Sequence, residues 1–551
     1  MAGTALRKFK SGNLTEGHGF KADKFGVVRV PVLSSSLLDA LVSEDESGLE
    51  AILRSLLQDA YIREALYLAS HSLYQRICLW EEGEGEYNKL PHTIARYILR
   101  MAFRATPFGT FTCVGTFDGH ADTTRIRAPR RSRLNRLVEV DSSILGRIAR
   151  IAQADNEVQP HLRYFPNDTI YAAGELISYL AYSWGPNDKR IYRKVDIERS
   201  EHLDFVISAA TNGSTNDELF TKCLSEYGAS VTATEVREFL RDLIADQVLC
   251  ADHLVDITSA DPLVHLLNSV SGAPALTSKL GALRDARDQL QGTRALKVPD
   301  DYEPMLGFMK AISLSKSEQK NSIKVDLFDN VEADRSTVSR SVVSEVEKVL
   351  NSLALVERRA GPLSRFMKRF SARFGDSEVP LPLVLNQLEA LGYSDRDAAA
   401  PALARLVGKT SPKAGGGSFI DSVLDQALRS GLAGVEYLDI ESQLTVARGK
   451  VTPLGTPQST VVAWISLWRD EEKPTPVVEI RSVGTQDPGR VMGRFARGLP
   501  DIATYLKQSS ETADVLDCEI VHLPEDKLGN ICMRPVTAGH ELRIRGGAAS
   551  G

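Results

Sequence analysis

The sequence gives no recognisable basis for metal or disulfide chemistry. Its 551 residues include only six cysteines, and no two of them form a C-x-x-C pair. The ten histidines are equally scattered and show no H-x-x-x-H or comparable ligand spacing. Zinc sites and disulfide frameworks depend on such close spacings, so neither is expected. We predict that the chain holds no metal and that its thiols are reduced, as in the cytosol.

Long apolar stretches are also missing. No run of about 18 apolar residues is present that could span a bilayer. The amino-terminal sequence MAGTALRKFKSGNLTEGHGF lacks the apolar core of a signal peptide. We therefore expect a cytoplasmic protein. The formal net charge of −6 gives no overall attraction for nucleic acid, so a site of that kind has to be a local patch.

The remaining composition is that of an ordinary globular protein. Hydrophobic residues make up 43% of the chain and charged residues 25%, which allows an ample core. At this length we expect several subdomains. Helical and strand patterns are mixed along the sequence, which predicts an α+β fold with several subdomains.

The stretch Ile94–Phe117 combines signals for a helix, a turn and a strand. Apolar residues recur at the spacing of one buried helical stripe, and Pro107 predicts that the helix ends near Ala105. Gly109 is expected in a turn, and Thr110–Phe117 alternates as a half-buried strand does. Three arginines spaced four apart occupy a second face of the helix: Arg96, Arg100 and Arg104.

These arginines have two interpretations. A guanidinium group suits phosphate or carboxylate, because its planar fork donates two parallel hydrogen bonds and stays charged. A solvated basic face paired with nearby carboxylates is the alternative. The helix alone does not decide between them.

The motif R-x-x-x-R-x-T-P-F-G-x-F, which spans Arg100–Phe111, resembles the amino-terminal signature of lantibiotic dehydratases. Further segments resemble that family in the same order: V-x-V-D at Asp141, V-D-L at Asp326 and G-R-F at Arg494. The resemblance covers nearly the whole chain. It implies a glutamylation domain, which transfers glutamate from glutamyl-tRNA to Ser and Thr of a ribosomally made precursor peptide in lanthipeptide- or thiopeptide-type biosynthesis.

By resemblance, the residues needed for this transfer are Arg100, Arg104, Thr106, Asp141, Asp326 and Arg494. Arg100 and Arg104 are expected to hold tRNA phosphates or the glutamyl carboxylate. Thr106 is expected to form a hydrogen bond with the substrate, and Arg494 to lie at the developing oxyanion. The aspartates are expected to orient these arginines. The ester of an aminoacyl-tRNA is already activated, so we expect no cofactor, and no P-loop motif is present.

Some of these residues also have local structural interpretations. Asp141 stands where a helix is predicted to begin, so it can serve as its N-cap. Ser322–Phe328 alternates as a strand, with Asp326 opposite the apolar face. Aspartate is disfavoured in a strand, so we expect a partner for it: an arginine of the central helix or a polar ligand. Arg29, beside the predicted edge strand Phe25–Val32, resembles a recurrent family arginine or lies simply at the surface.

A basic run from Arg125 to Arg136 follows the central stretch, with six arginines interrupted by Pro129. It is either a solvated loop or a patch that follows the phosphates of a tRNA acceptor stem. On the second interpretation, the tRNA-binding residues are Arg96, Arg125, Arg127, Arg130, Arg131 and Arg133.

Residues 155–260 are predicted to form a separate small unit. We expect Arg163–Phe165 to pair with Thr169–Ala172, a hairpin over 175–195, and then three helices and a wing-like strand. The helices are mixed or acidic, which argues against DNA binding. By resemblance the unit is a winged-helix recognition element, which binds the precursor's leader peptide by strand addition. A purely structural winged helix is the alternative.

We divide the rest of the chain around this unit. Residues 1–154 hold the arginine motif, 261–410 hold helices and strands of the glutamylation domain, and 411–551 hold an α/β segment with the G-R-F motif. Asp301–Leu306 is predicted as a loop, and Ala398–Ser418 as a flexible linker.

The expected partners are an aminoacylated tRNA, with tRNA-Glu implied by resemblance, and a precursor peptide held through its leader. Full-length family members continue into an elimination domain, so we expect either a split form with a separate elimination protein or a truncated chain. A homodimer is a further candidate assembly. Two alternative functions stay open: a peptide aminoacyl-tRNA ligase that extends a peptide carboxyl terminus, and a non-catalytic leader-binding scaffold.

Overall fold

A computed structural model describes the larger part of the chain. The described residues are 20–42, 46–84, 89–105, 109–185, 190–252, 255, 257–292, 297–311, 322–329, 335–354, 362–385, 460–468, 476–484, 487–510, 518–522 and 529–543. Thr106, which the sequence assigns to the site, and the predicted linker Ala398–Ser418 lie outside them. Within the described ranges, no helix is long and apolar enough to cross a membrane.

The chain forms two compact units built from discontinuous segments. The first is made of Met1–Lys24, Gly119–Thr124 and Ser339–Asp487, and the second of Phe25–Asp118, Arg125–Val338 and Pro488–Gly551. All the described candidate site residues belong to the second unit. The division into four consecutive domains stays a prediction.

The described strands are numbered in chain order. They are β1 (Phe25–Pro31), β2 (Thr112–Ala121), β3 (Leu134–Val140), β4 (Arg163–Pro166), β5 (Tyr171–Ala173), β6 (Leu176–Trp184), β7 (Arg190–Glu198), β8 (Ser214–Thr215), β9 (Leu249–Ala251), β10 (Ile323–Asp329), β11 (Ser336–Ser339), β12 (Val462–Trp468), β13 (Val477–Gly484), β14 (Cys518–Val521) and β15 (His540–Arg543). They form five small sheets.

The described α-helices are numbered in the same way. They are α1 (Leu37–Val42), α2 (Glu46–Leu56), α3 (Ala60–Ala69), α4 (His71–Glu81), α5 (Leu90–Phe103), α6 (Ser142–Gln153), α7 (Glu201–Ala209), α8 (Asn216–Tyr227), α9 (Ala233–Ala245), α10 (Pro262–Ser269), α11 (Pro274–Leu290), α12 (Glu303–Ala311), α13 (Arg340–Ala354), α14 (Pro362–Phe374), α15 (Leu381–Leu385), α16 (Pro488–Met492), α17 (Pro500–Ser510) and α18 (Gly529–Cys532). Short 3₁₀ turns complete the connections, including Pro299–Tyr302 and Gly493–Phe495.

The central sheet of the second unit has the order β1-β2-β10-β3, with β11 paired to β2 beside this path. β1 runs antiparallel to β2, β2 parallel to β10, and β10 antiparallel to β3. β1 therefore lies at an edge of the sheet, where a strand ending in Pro31 needs no further partner. The sheet brings together segments that are some 300 residues apart in sequence, so its register is not set by local turns.

The central stretch folds as helix, turn and strand, as predicted. The helix α5 buries Ile94, Ile98 and Met101 completely, and it ends at Phe103, two residues before the predicted end. Gly109 has a φ of 81°, a left-handed conformation that glycine adopts without a steric cost. The strand β2 follows it.

The region 155–260 contains the predicted hairpin, as β6 and β7, and the three predicted helices, as α7, α8 and α9. One pairing prediction is wrong: β4 pairs with β8 and β9, whereas β5 pairs with β6. The short loop between β4 and β5 suggested a hairpin, but the segments belong to different sheets. The winged-helix interpretation stays a prediction.

The loop predicted for Asp301–Leu306 is also wrong. A 3₁₀ turn ending at Tyr302 continues into α12. Met305 and Met309 are fully buried and four residues apart, so they form the apolar stripe of a helix. This helix was not predicted from the sequence.

The first unit holds fewer described elements. β12 and β13 form an antiparallel pair with an irregularity between Trp464 and Ile465. α13 spans fifteen residues, Arg340–Ala354. In α14 the Phe366, Phe370 and Phe374 rings follow one another along the helix, with centroids 6.5 and 5.3 Å apart.

Candidate functional site

The two faces of the central sheet bury different layers. On one face, Leu327 and Cys113 pack with the apolar stripes of the amino-terminal helices, including α5. On the other face, Phe328 and Val114 pack with Phe495 and other residues of the carboxy-terminal segment. Because side chains alternate along a strand, Asp326 points to this second face, together with Phe328.

Asp326 is buried there between two cations. Its Oδ2 atom lies 3.3 Å from Lys324 Nζ and 3.4 Å from Arg494 Nη2. Of the two candidate partners, the arginine of the central helix is wrong: α5 packs on the opposite face of the sheet, and the described arginine partner comes from the G-R-F turn. The second candidate, a polar ligand, stays a prediction. Of the predicted site residues, the structure brings Asp326 and Arg494 into direct contact.

A second carboxylate extends this group of charges. Glu139 lies directly opposite Lys324 in the β3–β10 ladder, and its Oε2 is 2.5 Å from Lys324 Nζ. Arg497 Nη1 donates to Glu139 Oε1 at 2.6 Å. Burial acts to raise the pKa of Glu139, but Lys324 and Arg497 outweigh it and hold that pKa at about 2. Glu139 is thus a permanent anion at neutral pH.

Arg29, on β1, adds a further positive charge. Its guanidinium carbon lies 5.3 Å from the centre of the Phe495 ring, and that of Arg494 lies 4.8 Å from it. Burial, and then repulsion from Arg494, lower the pKa of Arg29. Arg29 is half-buried on β1, and it shares the Phe495 ring with Arg494.

We call these six side chains the sheet-face network: Arg29, Glu139, Lys324, Asp326, Arg494 and Arg497. Among the described residues, four cations of this network face two carboxylates, so its described members carry two more positive than negative charges. An excess of positive charge away from bulk water favours an anionic ligand, because such a ligand restores the local balance of charge.

Asp141 lies close in sequence to this network but has its own partners. It is the N-cap of α6, and its Oδ1 accepts from the Ser143 backbone N–H at 2.9 Å. Its Oδ2 accepts from Asn530 Nδ2 at 2.7 Å. The N-cap interpretation is confirmed. The structure shows no ion pair between Asp141 and a described residue, so Asp141 fixes the start of α6 against α18.

Arg100 and Arg104 are exposed at the carboxyl end of α5. The Arg104 carbonyl accepts from Thr112 Oγ1 at 3.0 Å, and the Gly109 N–H donates to the Val325 carbonyl at 3.0 Å. These bonds hold the helix end beside the start of β2, and Gly109 beside the middle of β10. Within the described ranges, neither guanidinium contacts the sheet-face network.

The arginines of the basic run fall into two groups. Arg131 is held by Asp59 at 2.6 Å and lies over the Tyr61 ring, so its charge is used within the protein. Arg127 has three other arginines of the run nearby. Desolvation, and then the charges of Arg125, Arg133 and Arg130, lower the pKa of Arg127. Arg96 is exposed on α5, apart from the run in sequence.

Several residues of the site were not predicted from the sequence. Lys324 and Glu139 occupy facing positions on β10 and β3, and Arg497 follows Arg494 by one turn. Arg534 packs against Gly493 and is fixed by an ion pair with Glu519, so it supports the turn that presents Arg494. The K-V-D and R-F-A-R spacings were visible signals, but their partners lie far away in sequence. No group of three or more His, Cys, Asp or Glu side chains in the described part of the chain is placed to hold a metal ion.

The fold and the site together place this chain in a general class. It is an α+β protein with a cation-rich network on one sheet face, which suits an anionic ligand. The particular family follows from the whole sequence. The chain belongs to the family "Lantibiotic dehydratase, N terminus", whose sequence model matches residues 58–549. The resemblance drawn from the central motif is thereby confirmed.

Two curated relatives are similar over part of their length. The subtilin biosynthesis protein SpaB of Bacillus subtilis is 20% identical over 375 residues, which are 66% of this chain and 35% of SpaB. The epidermin biosynthesis protein EpiB of Staphylococcus epidermidis is 20% identical over 382 residues, which are 67% of this chain and 37% of EpiB. The matched region thus spans about a third of these relatives.

Solved structures share the fold. The tRNA-dependent lantibiotic dehydratase MibB from Microbispora sp. 107891 matches with a TM-score of 0.71 at 19% identity, over 96% of this chain and 51% of MibB. The glutamylation domain of TbtB, from thiomuracin biosynthesis, matches with a TM-score of 0.56 at 15% identity, over 86% of this chain and 58% of that chain. The same domain has been solved bound to 5'-phosphodesmethylglutamycin. The predicted α+β fold class is confirmed.

Proposed function

We propose that this chain transfers the glutamyl group of glutamyl-tRNA to Ser and Thr side chains of a ribosomally made precursor peptide. Membership of the lantibiotic dehydratase family and the fold shared with a glutamylation domain support this proposal. The observation on which it mainly rests is the sheet-face network, in which four cations lie together on one face of the sheet and suit an anionic group of the donor. The phosphates of the tRNA end and the glutamyl carboxylate are both of this kind.

The proposed reaction is an ester exchange. The oxygen of a peptide hydroxyl attacks the glutamyl ester carbonyl, and a new ester bond forms as the bond to the terminal ribose breaks. The hydroxyl proton passes to the released ribose oxygen. The donor ester is already activated, so the step needs neither ATP nor a cofactor, and the enzyme contributes mainly by positioning two large substrates.

The network residues have distinct proposed roles. Arg494, the arginine in contact with Asp326, is proposed to stabilise the oxyanion that develops on the ester carbonyl. Asp326 orients Arg494. Arg29 lies beside the same Phe495 ring and adds a second positive charge for the anionic donor.

The end of α5 is proposed to meet the tRNA end. Arg100 and Arg104 are exposed at the carboxyl end of α5, which lies beside the start of β2, so their charges are accessible to phosphates. Thr106 follows in the same motif and keeps its proposed role as a substrate hydrogen-bond partner. Asp141 is proposed to act indirectly, by holding α6 and α18 together beside the network.

The basic run is proposed to follow the acceptor stem. Arg125, Arg127, Arg130 and Arg133 lie close enough to repel one another, which an anionic partner would relieve. Replacing Arg127 and Arg130 together by Ala should weaken tRNA binding and lower the slope of log K against log salt by about 2, which a salt-dependent gel shift measures. Arg131→Ala is the matched control, because Asp59 already holds that guanidinium. An unchanged slope in the double variant would remove this loop from the tRNA surface.

The leader peptide is proposed to add a strand to the region 155–260. β7 is an edge strand of the sheet β5-β6-β7, and Ile191 and Tyr192 on it are exposed. An edge with exposed apolar side chains suits pairing with an extended peptide, whose alternate residues contact the neighbouring surface.

Mass spectrometry tests the proposed transfer directly. The protein is incubated with charged tRNA-Glu and a precursor peptide encoded beside it, and the peptide should gain one glutamyl mass per modified hydroxyl without ATP. Gain at the peptide carboxyl terminus that requires ATP would point to a peptide aminoacyl-tRNA ligase. Leader binding without tRNA binding or mass gain would leave only a scaffold.

A further inference from the structure

Two arginines at the G-R-F turn face two carboxylates. Arg494 lies in the 3₁₀ turn Gly493–Phe495, and Arg497 follows it by three residues, just beyond the turn. Arg494 contacts Asp326 on β10 at 3.4 Å, whereas Arg497 contacts Glu139 on the neighbouring strand at 2.6 Å. The two contacts therefore differ: the Arg497 pair is close, and the Arg494 pair is at the long end of an ion pair.

Arg497 is held at both ends of its guanidinium group. Besides Glu139, its Nη2 donates to the Ser259 carbonyl at 2.6 Å. Its side chain is 6% exposed, so these contacts are shielded from water. Two short charge-assisted hydrogen bonds in a buried position fix the turn against β3 and the loop before α10. The backbone that presents Arg494 is fixed with it.

Lys324 connects the two carboxylates. Its ammonium group is 2.5 Å from Glu139 Oε2 and 3.3 Å from Asp326 Oδ2, the same oxygen that faces Arg494. Burial acts to lower the pKa of Lys324, but the charges of Glu139 and Asp326 outweigh it and raise that pKa, so the ammonium stays charged. Asp326 is thereby drawn from one side by Lys324 and from the other by Arg494.

We infer that Lys324, Glu139 and Arg497 are positioning residues, which set the place of the Asp326 carboxylate and of the Arg494 guanidinium without touching either substrate. The inference rests on the proposed glutamyl transfer. Glu139 anchors Lys324 and Arg497, and these two cations then fix Asp326 and the turn of Arg494 respectively. A displacement of about 1 Å in such a group can slow a reaction about a hundredfold.

Single-turnover glutamyl transfer with Lys324 variants tests the inference. With charged tRNA-Glu and the precursor peptide at saturation, Lys324→Met should slow transfer about a hundredfold, while the KM for tRNA and the affinity for the leader peptide stay within about twofold. Lys324→Arg keeps the cation and should recover at least about tenfold of that loss. Arg497→Met should show the same division between rate and KM, because it releases the turn of Arg494.

Glu64→Gln is the matched control. Glu64 is a buried carboxylate paired with Arg136, but it lies on the other face of the sheet. The Glu64→Gln substitution should lower the free energy of unfolding and leave the transfer rate per folded molecule unchanged. This control separates a loss of positioning from a general loss of folded protein.

The possible results distinguish the two levels of the proposal. If the unmodified protein transfers glutamate and Lys324→Met does so at the same rate, positioning by Lys324 is wrong and the transfer function stands. If Lys324→Met loses leader affinity and folded protein in proportion to activity, and Lys324→Arg recovers nothing, the lysine has only a structural role. If the unmodified protein transfers no glutamate, the proposed function fails and the inference fails with it.

Discussion

Two buried ion networks lie on opposite faces of the central sheet, and they are built differently. On the helical face, Glu64 of α3 accepts two hydrogen bonds from Arg136 of β3 at 2.7 and 2.8 Å and one from the Tyr302 hydroxyl at 2.6 Å. One anion meets one cation, and Glu64 is completely buried. On the other face, the sheet-face network has four cations and two carboxylates, with contacts of 3.3 and 3.4 Å around Asp326.

The difference in composition indicates a packing role for the first network and a ligand-binding role for the second. A balanced, short-range group has all its partners within the protein, so it specifies how α3, β3 and the turn at Tyr302 pack. A group whose described cations outnumber its described carboxylates holds like charges at close range, which repel one another. Such an arrangement is typical of a site that a ligand completes. The following predictions test this division of roles.

Arg494→Ala should have the largest effect. Removing the guanidinium takes away the cation proposed to stabilise the oxyanion, so glutamyl transfer should fall by about 10³-fold or more. The initial rate of peptide-bound labelled glutamate at saturating tRNA measures this. Arg490→Ala is the control, because Arg490 lies one turn earlier and is exposed. A variant Arg494→Ala with more than about a tenth of the original rate would contradict the assigned role.

Arg136→Met should instead destabilise the protein. The substitution leaves the Glu64 carboxylate buried without its cation, which costs about 3–5 kcal/mol in the free energy of unfolding. A urea titration followed by tryptophan fluorescence measures this loss. The transfer rate per folded molecule should stay unchanged, since the contact is on the other face of the sheet. A loss below about 1 kcal/mol would show that the two networks do not differ in this respect.

The pH dependence of stability gives a third test. The pKa of Glu139 is about 2 in the folded protein and about 4.3 in an unfolded chain. A depressed pKa contributes stability above the unfolded value, and this contribution is lost as the pH falls through the folded value. The advantage of the unmodified protein over Glu139→Gln should therefore be constant from about pH 6 to 8, and should shrink by about 3 kcal/mol at most between about pH 4 and 2.

Urea titrations of both proteins at a series of pH values measure this difference. Asp285→Asn, which removes an exposed carboxylate paired with Arg284, is the control and should change the free energy of unfolding at neutral pH by less than about 1 kcal/mol. A Glu139→Gln difference that stays constant down to about pH 2.5 would mean that Lys324 and Arg497 do not stabilise the carboxylate.

The local elements of the fold could be predicted from the sequence, because they follow from short-range patterns. The stripe of α5, the alternation of β10 and the N-cap at Asp141 each depend on neighbours within a few residues. The wrong strand pairing also came from relying on short-range patterns. β4 and β5 are adjacent in sequence, but their partners are β8 and β6, which tertiary packing rather than the connecting turn selects.

The site was predictable only in its conspicuous members. Asp326 was singled out because an aspartate is unusual within a strand, and that reasoning correctly required a partner. The partner itself could not be named, because Arg494 is 168 residues away in sequence. Lys324 and Glu139 face each other across strands 185 residues apart, so their pairing depends on a register that no local signal fixes.

Arg29→Met should have the smallest effect on stability and the one with the opposite sign. Arg29 lies beside Arg494 at the Phe495 ring, and its charge adds repulsion, so removing it should raise the free energy of unfolding by up to about 1 kcal/mol. Transfer should slow at the same time, because the donor loses a cation that attracts it. Urea titration and the transfer assay measure the two quantities, and Arg54→Met is the control, since Arg54 lies over Trp80 on the helical side and should lose stability. If Arg29→Met loses both stability and activity, Arg29 belongs with the packing contacts of the helical face, and the excess charge of the sheet-face network does not mark a binding site.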